Sequence, residues 1–301
     1  MTTPATPPLP QAHPQPGPGP AVHGPAAPGG VPRLSYYVSP IPVRPATFGD
    51  ALASEWTKIR SVRSTMWTLG TMLALMLGIG VLVAFGVNAA SDPGLEEADS
   101  DVLSLGFFGV LLGSICVITL GVLTIASEFG TGMIRTTLTA CPSRSRVLTA
   151  KALVFFLLVL VLTTVAATVV AMLQTAVLGG GAAASGADWL RATVGVGLYT
   201  ALLGLLSLSV GTIVRHSAGA ITIMIGVVLL PLVLALFMAL DQLNRLRELL
   251  FEYSVPSQIA ALYDSSITES GPSGWDSVAI MFLLAGVVFG AAHLALNRRD
   301  V

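Results

Sequence analysis

The chain has 301 residues, 53% of them hydrophobic and only 10% charged, with a mean hydropathy of +0.80. Soluble domains carry charge on about 25% of residues, so this composition excludes a soluble core. A formal net charge of −1 gives no footing for nucleic-acid binding, and the charges are sorted by position rather than scattered.

Residues 1–45 hold 14 of the 19 prolines and no apolar run of signal-peptide length. Such a segment cannot bury enough apolar surface to offset its ordering entropy. It reads as a disordered cytoplasmic tail, and the first span is expected to direct insertion. The stretch 46–65 differs. Phe48, Leu52, Trp56, Ile59, Val62 and Met66 recur at helical spacing and predict one apolar helix face. Glu55 and Arg63 interrupt that stripe. The helix is expected in the cytoplasmic interface, with Trp56 at headgroup depth and Lys58, Arg60 and Arg63 near lipid phosphates.

Six windows lack Asp, Glu, Lys and Arg altogether: 66–87, 103–126, 152–178, 192–214, 217–240 and 277–297. Each has roughly the 20 residues an α-helix needs to cross a bilayer. The fold class that follows is an all-α integral membrane protein with six transmembrane helices, its domain running over 46–301. Span two carries Gly109/Gly113 and span six Gly286/Gly290, spacings that permit close helix approach. Gln174 in span three is an amide that either lines a path or bonds between helices, and Pro231 predicts a kink in span five. In the external segment 241–276, two short helices are expected to dip into the outer leaflet, the second starting near Ser254-Val255-Pro256.

Basic residues collect in alternate loops. Lys58, Arg60 and Arg63 precede span one; Arg135, Arg144, Arg146 and Lys151 lie between spans two and three; Arg215 follows span four; Arg298 and Arg299 follow span six. With Arg33 and Arg44, 12 of the 15 Lys+Arg fall on one side, leaving Arg191, Arg245 and Arg247 on the other. The positive-inside rule makes the crowded side cytoplasmic, with both termini inside the cell membrane. Asp92, Glu96, Glu97, Asp99 and Asp101 fill the first external loop, in agreement.

The basic loop after span two reads Ser127-Glu128-Phe129-Gly130-Thr131-Gly132-Met133-Ile134-Arg135-Thr136-Thr137-Leu138. Glu128 directly follows an uncharged span, and a carboxylate at that boundary pairs with a base or faces water. Gly130 and Gly132 suit a sharp change of direction, and 133–140 can then form a short helix ended near Pro142. Arg144, Arg146 and Lys151 are expected to open the next helix among lipid phosphates.

This loop resembles the Glu-Phe/Tyr-x-x-Gly-Thr/Met-x-Arg signature of ABC-2-type permeases, the membrane subunits of type V ABC exporters. Glu55-Trp56-Thr57-Lys58-Ile59-Arg60 with Arg63-Ser64 is similar to the family's N-terminal interface helix. Val255-Pro256-Ser257 is similar to its Leu-Pro-Ser element, and Arg298-Arg299-Asp300 to the ending of actinobacterial members. Met133 departs from the Thr or Ile that members often carry there. The match runs over 46–301. It implies a permease that forms the path while a separate ATP-binding subunit binds ATP and magnesium. Glu128, Phe129, Gly130, Gly132, Met133, Arg135 and Leu138 would carry the coupling, with Glu128 and Arg135 orienting the short helix and the 48–65 helix bracing it. Two permease halves, as a homodimer or a heterodimer, would work with two ATPases.

The chain has no GxxxxGK[ST] loop: Lys58 and Lys151, its only lysines, are followed by Ile59 and Ala152. It carries no catalytic, cofactor-binding or metal-ligating set. Cys116 and Cys141 lack any CxxC or Cys/His context. Two alternatives stand beside the exporter. A gradient-driven carrier or channel needs ionisable groups at mid-membrane, and the spans have no carboxylate or lysine there. An intramembrane hydrolase would need Ser207 or Ser209 to meet His293.

Overall fold

The computed structural model describes residues 46–90, 102–141, 143–178, 184–238, 243–265 and 271–298. The proline-rich segment 1–45, the acidic loop residues Asp92, Glu96, Glu97, Asp99 and Asp101, the loop proline Pro142, and Arg299 and Asp300 lie outside them. Among the described residues there is no strand, and six helices are long and apolar enough to cross a bilayer. The chain is an all-α membrane protein.

Helix α1 (Phe48–Ser61) starts at a capping box: the Asp50 amide donates to the Thr47 hydroxyl, and the Thr47 amide donates to the Asp50 carboxylate at 2.9 Å. One extended residue, Val62, separates it from α2 (Arg63–Ala90), the first span. A 3₁₀ turn (Val102–Gly106) leads into α3 (Phe107–Gly130). Gly132, at φ 71°, turns the chain into the short α4 (Met133–Ala140). A side chain would be strained at that left-handed position. Helix α5 (Arg144–Leu178) has 35 residues. At 1.5 Å per residue it is about 50 Å long, well beyond a hydrocarbon core of about 30 Å; its first turns pack against α1, with Val147, Leu148 and Lys151 buried.

A second capping box, between Ser185 and Asp188, opens α6 (Gly186–Leu190). It continues through a π-helical turn (Arg191–Gly195) into α7 (Val196–Val214), which ends at Arg215 in the left-handed region. Helix α8 (Ser217–Phe237) runs on through Pro231. The segment after it holds α9 (Asn244–Glu252) and α10 (Val255–Leu262), and α11 (Asp276–Arg298) closes the bundle.

The bundle is organised around α7. In the α6–α7 span 78% of the most apolar window is buried, against 22% in α2, α8 and α11. Helices α3, α5, α8 and α11 pack around it, and α2 packs on α3 and α5. Glycines set the closest approaches. A Cβ at Gly121 would lie 2.6 Å from the Gly204 carbonyl oxygen, so α3 and α7 meet backbone to backbone. Gly109 likewise presses on the Met76 carbonyl of α2, whereas Gly286 and Gly290 on α11 face open space.

Every residue of α10 is buried, although the sequence reading places it in the outer leaflet. Ser254 caps it by accepting from the Ser257 amide, and Pro256 occupies its first turn. Gln258 of α10 donates to the Tyr253 carbonyl at 2.9 Å and accepts from the Tyr199 hydroxyl of α7 at 3.3 Å. The Tyr199 bond ties the short helix to the central span.

Candidate functional site

At the basic end of the bundle four charged side chains form a ring. Helix α1 supplies Glu55 and Lys58, one turn apart; the last turn of α3 supplies Glu128; the third turn of α5 supplies Lys151. The Lys58 ammonium donates to Glu55 Oε1 at 2.8 Å and to Glu128 Oε1 at 2.9 Å. The Lys151 ammonium donates to Glu128 Oε1 at 2.8 Å and closes the ring on Glu55 Oε2. Each lysine therefore contacts both carboxylates, and the four charges cancel.

Glu55, Glu128 and Lys151 are buried, at 3%, 5% and 2% exposure. Removing such groups from water costs several kcal/mol per ion, which mutual attraction repays only with good geometry. The ring therefore contributes a defined arrangement of three helices more than it contributes stability. Desolvation pulls the Lys58 ammonium down, but hydrogen bonds to Glu55 and Glu128 and their charges outweigh it and hold the group above its ordinary value.

Helix α4 hangs from this ring. Its buried side chain is Ile134, and Lys58 reaches across to the Thr137 hydroxyl at 3.4 Å. Arg135 and Met133 are exposed and Leu138 is half-buried. Arg135 forms no ion pair among the described residues. Behind the loop, the Arg215 guanidinium at the end of α7 lies 5.0 Å from the centre of the Phe129 ring, a cation–π contact. Gly130 and Gly132 sit exposed at the turn. The basic residues of α5 add two more ties: Arg144 donates to the Leu296 carbonyl of α11 at 3.0 Å, and Arg146 to the Ala46 carbonyl at 2.7 Å.

The residues singled out in the sequence separate into groups. Glu128, Glu55 and Lys58 come together, while Trp56 and Arg60 of α1 and Arg63 at the start of α2 are exposed. Glu55, which interrupts the apolar stripe, is one of the two α1 residues that face the bundle; the other is Ile59. Lys151, expected among phosphates, is instead the most buried member of the ring, and Arg215 carried no signal beyond its place in a basic loop. One signal for Lys151 does exist: it opens span three, across a single loop from Glu128 at the end of span two. Gln174 is fully buried and donates to the Gly80 carbonyl of α2 at 3.4 Å, an interhelical bond. Pro231 is half-buried within α8.

No hydrolytic constellation forms. Ser207 and Ser209 donate to the Leu203 and Leu205 carbonyls of their own helix, at 2.8 and 2.7 Å. His293 meets Thr149 of α5 at 3.1 Å and the Phe289 carbonyl at 3.2 Å, not a serine. Among the described residues, no three His, Cys, Asp or Glu side chains converge as a metal site.

Six bilayer-length helices, an ionic junction at one end and a short helix beside it define a multi-pass α-helical membrane protein. Residues 51–242, well over half of the chain, match the ABC-2 family transporter protein family, and the chain belongs to that family. The match takes in the ring, α4 and the central span α7. Comparison with curated proteins gives no match.

Proposed function

We propose that this chain is the permease subunit of an ABC exporter in the cell membrane, with residues 46–301 as its transmembrane domain and both termini cytoplasmic. A separate ATP-binding subunit hydrolyses ATP, and two permease halves share two such subunits. The observation that carries this reading is the junction of α1, α3, α4 and α5. Helix α4 exposes Met133 and Arg135 outward and is held inward by Ile134 and the Lys58–Thr137 bond. A push on its exposed face therefore reaches Lys58, and through the ring the starts of α1 and α5 and the end of α3. Phe129 and Arg215 give the same push a second route, into α7. In this mechanism α4 sits in a groove of the ATPase, whose closure on ATP rocks the spans and opens an outward path.

The test uses the full chain together with the ATP-binding subunit that co-purifies with it, in lipid nanodiscs. Arg135→Glu should lower permease-stimulated ATP hydrolysis at least tenfold while membrane insertion and yield stay normal. Unchanged stimulation removes the assigned role of α4. Cargo flux that persists without the ATPase and follows an ion gradient replaces the exporter with a carrier.

A further inference from the structure

A cleft of about 310 Å³ opens beside the ring, between the start of α2 and the last turns of α3. That volume reaches the range of small-molecule sites, about 300–1,000 Å³. All four ring residues line it, Glu128 among them. Both lysines donate to Oε1 of that residue, and its Oε2, also buried, has no hydrogen-bond partner among the described residues. A buried, charged acceptor without a donor is rare and costly.

The walls share this bias. The hydroxyls of Thr68, Thr124, Ser127 and Thr131 all line the cleft. Each donates its proton to a carbonyl one turn back in its own helix: Ser64, Leu120, Leu123 and Ser127, at 2.9, 2.7, 2.6 and 2.8 Å. What remains on these oxygens is lone pairs. The lysine nearest the opening, Lys58, has its three protons directed at Glu55, Glu128 and Thr137. Ser64 and Thr65 line the cleft too, so acceptors outnumber uncommitted donors on its wall. Along α3 it runs over 120–131, about 16 Å at 1.5 Å per residue. Leu120, Leu123 and Val62 form apolar wall beside the polar floor.

We propose that this cleft binds an amphipath through a primary ammonium head, its charge drawn toward the unpartnered Glu128 Oε2, its N–H groups on the wall hydroxyls and its tail along Leu120 and Leu123. A primary ammonium brings three donors and no acceptor, which complements such a wall. A quaternary ammonium of the same charge has no donor, and a sulfate head would set its negative charge beside the Glu128 carboxylate and against a wall of lone pairs. Naming the occupant as cargo at an inner-leaflet access site rests on the exporter reading; the binding itself does not.

The full chain in phosphatidylcholine nanodiscs should bind radiolabelled octylamine saturably. Octyltrimethylammonium should bind at least tenfold more weakly, and octyl sulfate should not compete. Leu123→Trp, which fills the cleft without touching the ring, should weaken octylamine binding at least tenfold. Thr124→Val, nearly equal in volume and lacking the acceptor, should weaken it about threefold, with thermal unfolding of both variants confirming that they fold. Equal binding of the two amines, or binding that both variants leave unchanged, means partition into lipid and overturns the proposal. Repeating the titration in phosphatidylethanolamine nanodiscs assigns the source of the ammonium: a several-fold weaker octylamine signal identifies the lipid headgroup as occupant, and an unchanged signal identifies a free amphipathic amine. Octylamine that binds but leaves partner ATPase activity unaltered supports the cleft and counts against its role in export. Normal coupling without octylamine binding does the reverse.

Discussion

Replacing Lys151 with methionine would leave the Glu55 and Glu128 carboxylates facing one another with Lys58 as their remaining counter-ion. Breaking a buried pair by removing one partner costs about 3–5 kcal/mol, and Lys151→Met should show a loss of that size in thermal unfolding in detergent. Adding Glu128→Gln to that variant should recover part of the loss, since it removes the charge left uncompensated. Strictly additive losses would show that the four groups do not act as a unit. At this scale the sequence was half legible. Glu128 stands out because it abuts an uncharged span, where a carboxylate pairs with a base or faces water. Which base was not readable, because its partners lie 23 and 70 residues away and local spacing is silent about them. Glu55 was harder still. A helical wheel scores a carboxylate inside an apolar stripe as noise, although burial opposite two ammoniums is its reason for being there.

Spans were readable as elements because the cost of unpaired charge in hydrocarbon empties them of Asp, Glu, Lys and Arg. The helices overrun those windows at their ends, as at Arg144, since helical hydrogen bonding continues into polar turns once the chain leaves the lipid. Glycine spacing was less informative. Gly109/Gly113 and Gly286/Gly290 look alike in sequence, yet the first pair is packed on Met76 of α2 and the second faces open space. Periodicity says which residues share a face, not what that face meets. Gly121→Ala would set a methyl group against the Gly204 carbonyl oxygen, and overpacking of this kind costs about 1–3 kcal/mol. Gly286→Ala should change stability by less than about 0.5 kcal/mol. The two variants compared by thermal unfolding test the close approach of α3 and α7; equal melting temperatures would refute it.

Across the whole molecule, the alternation of charge anticipated what the contacts bring together. Arg144, Arg146, Lys151, Lys58 and Arg215, scattered along the chain, make their ties at one end of the bundle, while Arg191 pairs with Asp188 and lies 3.5 Å from Asp264, at the end of α10, elsewhere. The proposed orientation is checked by single cysteines in a background lacking Cys116 and Cys141. Thr136→Cys should react with an impermeant maleimide only in opened cells, and Arg245→Cys in intact ones. The reverse pattern would carry α4 out of reach of any cytosolic ATPase. The position of α10 was the least legible feature at this scale, because a short, mostly apolar segment fits a membrane surface and a bundle interior equally well; its burial on every side and the Gln258–Tyr199 bond distinguish them.

The ring has a practical corollary for anyone wishing to trap what docks on α4. Both side-chain amines of the protein are engaged there, Lys151 sealed away and Lys58 only 25% exposed with its ammonium held protonated. Reagents that acylate lysine will find no ready nucleophile on this surface, so a silent succinimidyl-ester crosslinking trial would report the chemistry of the bait rather than the loneliness of the subunit.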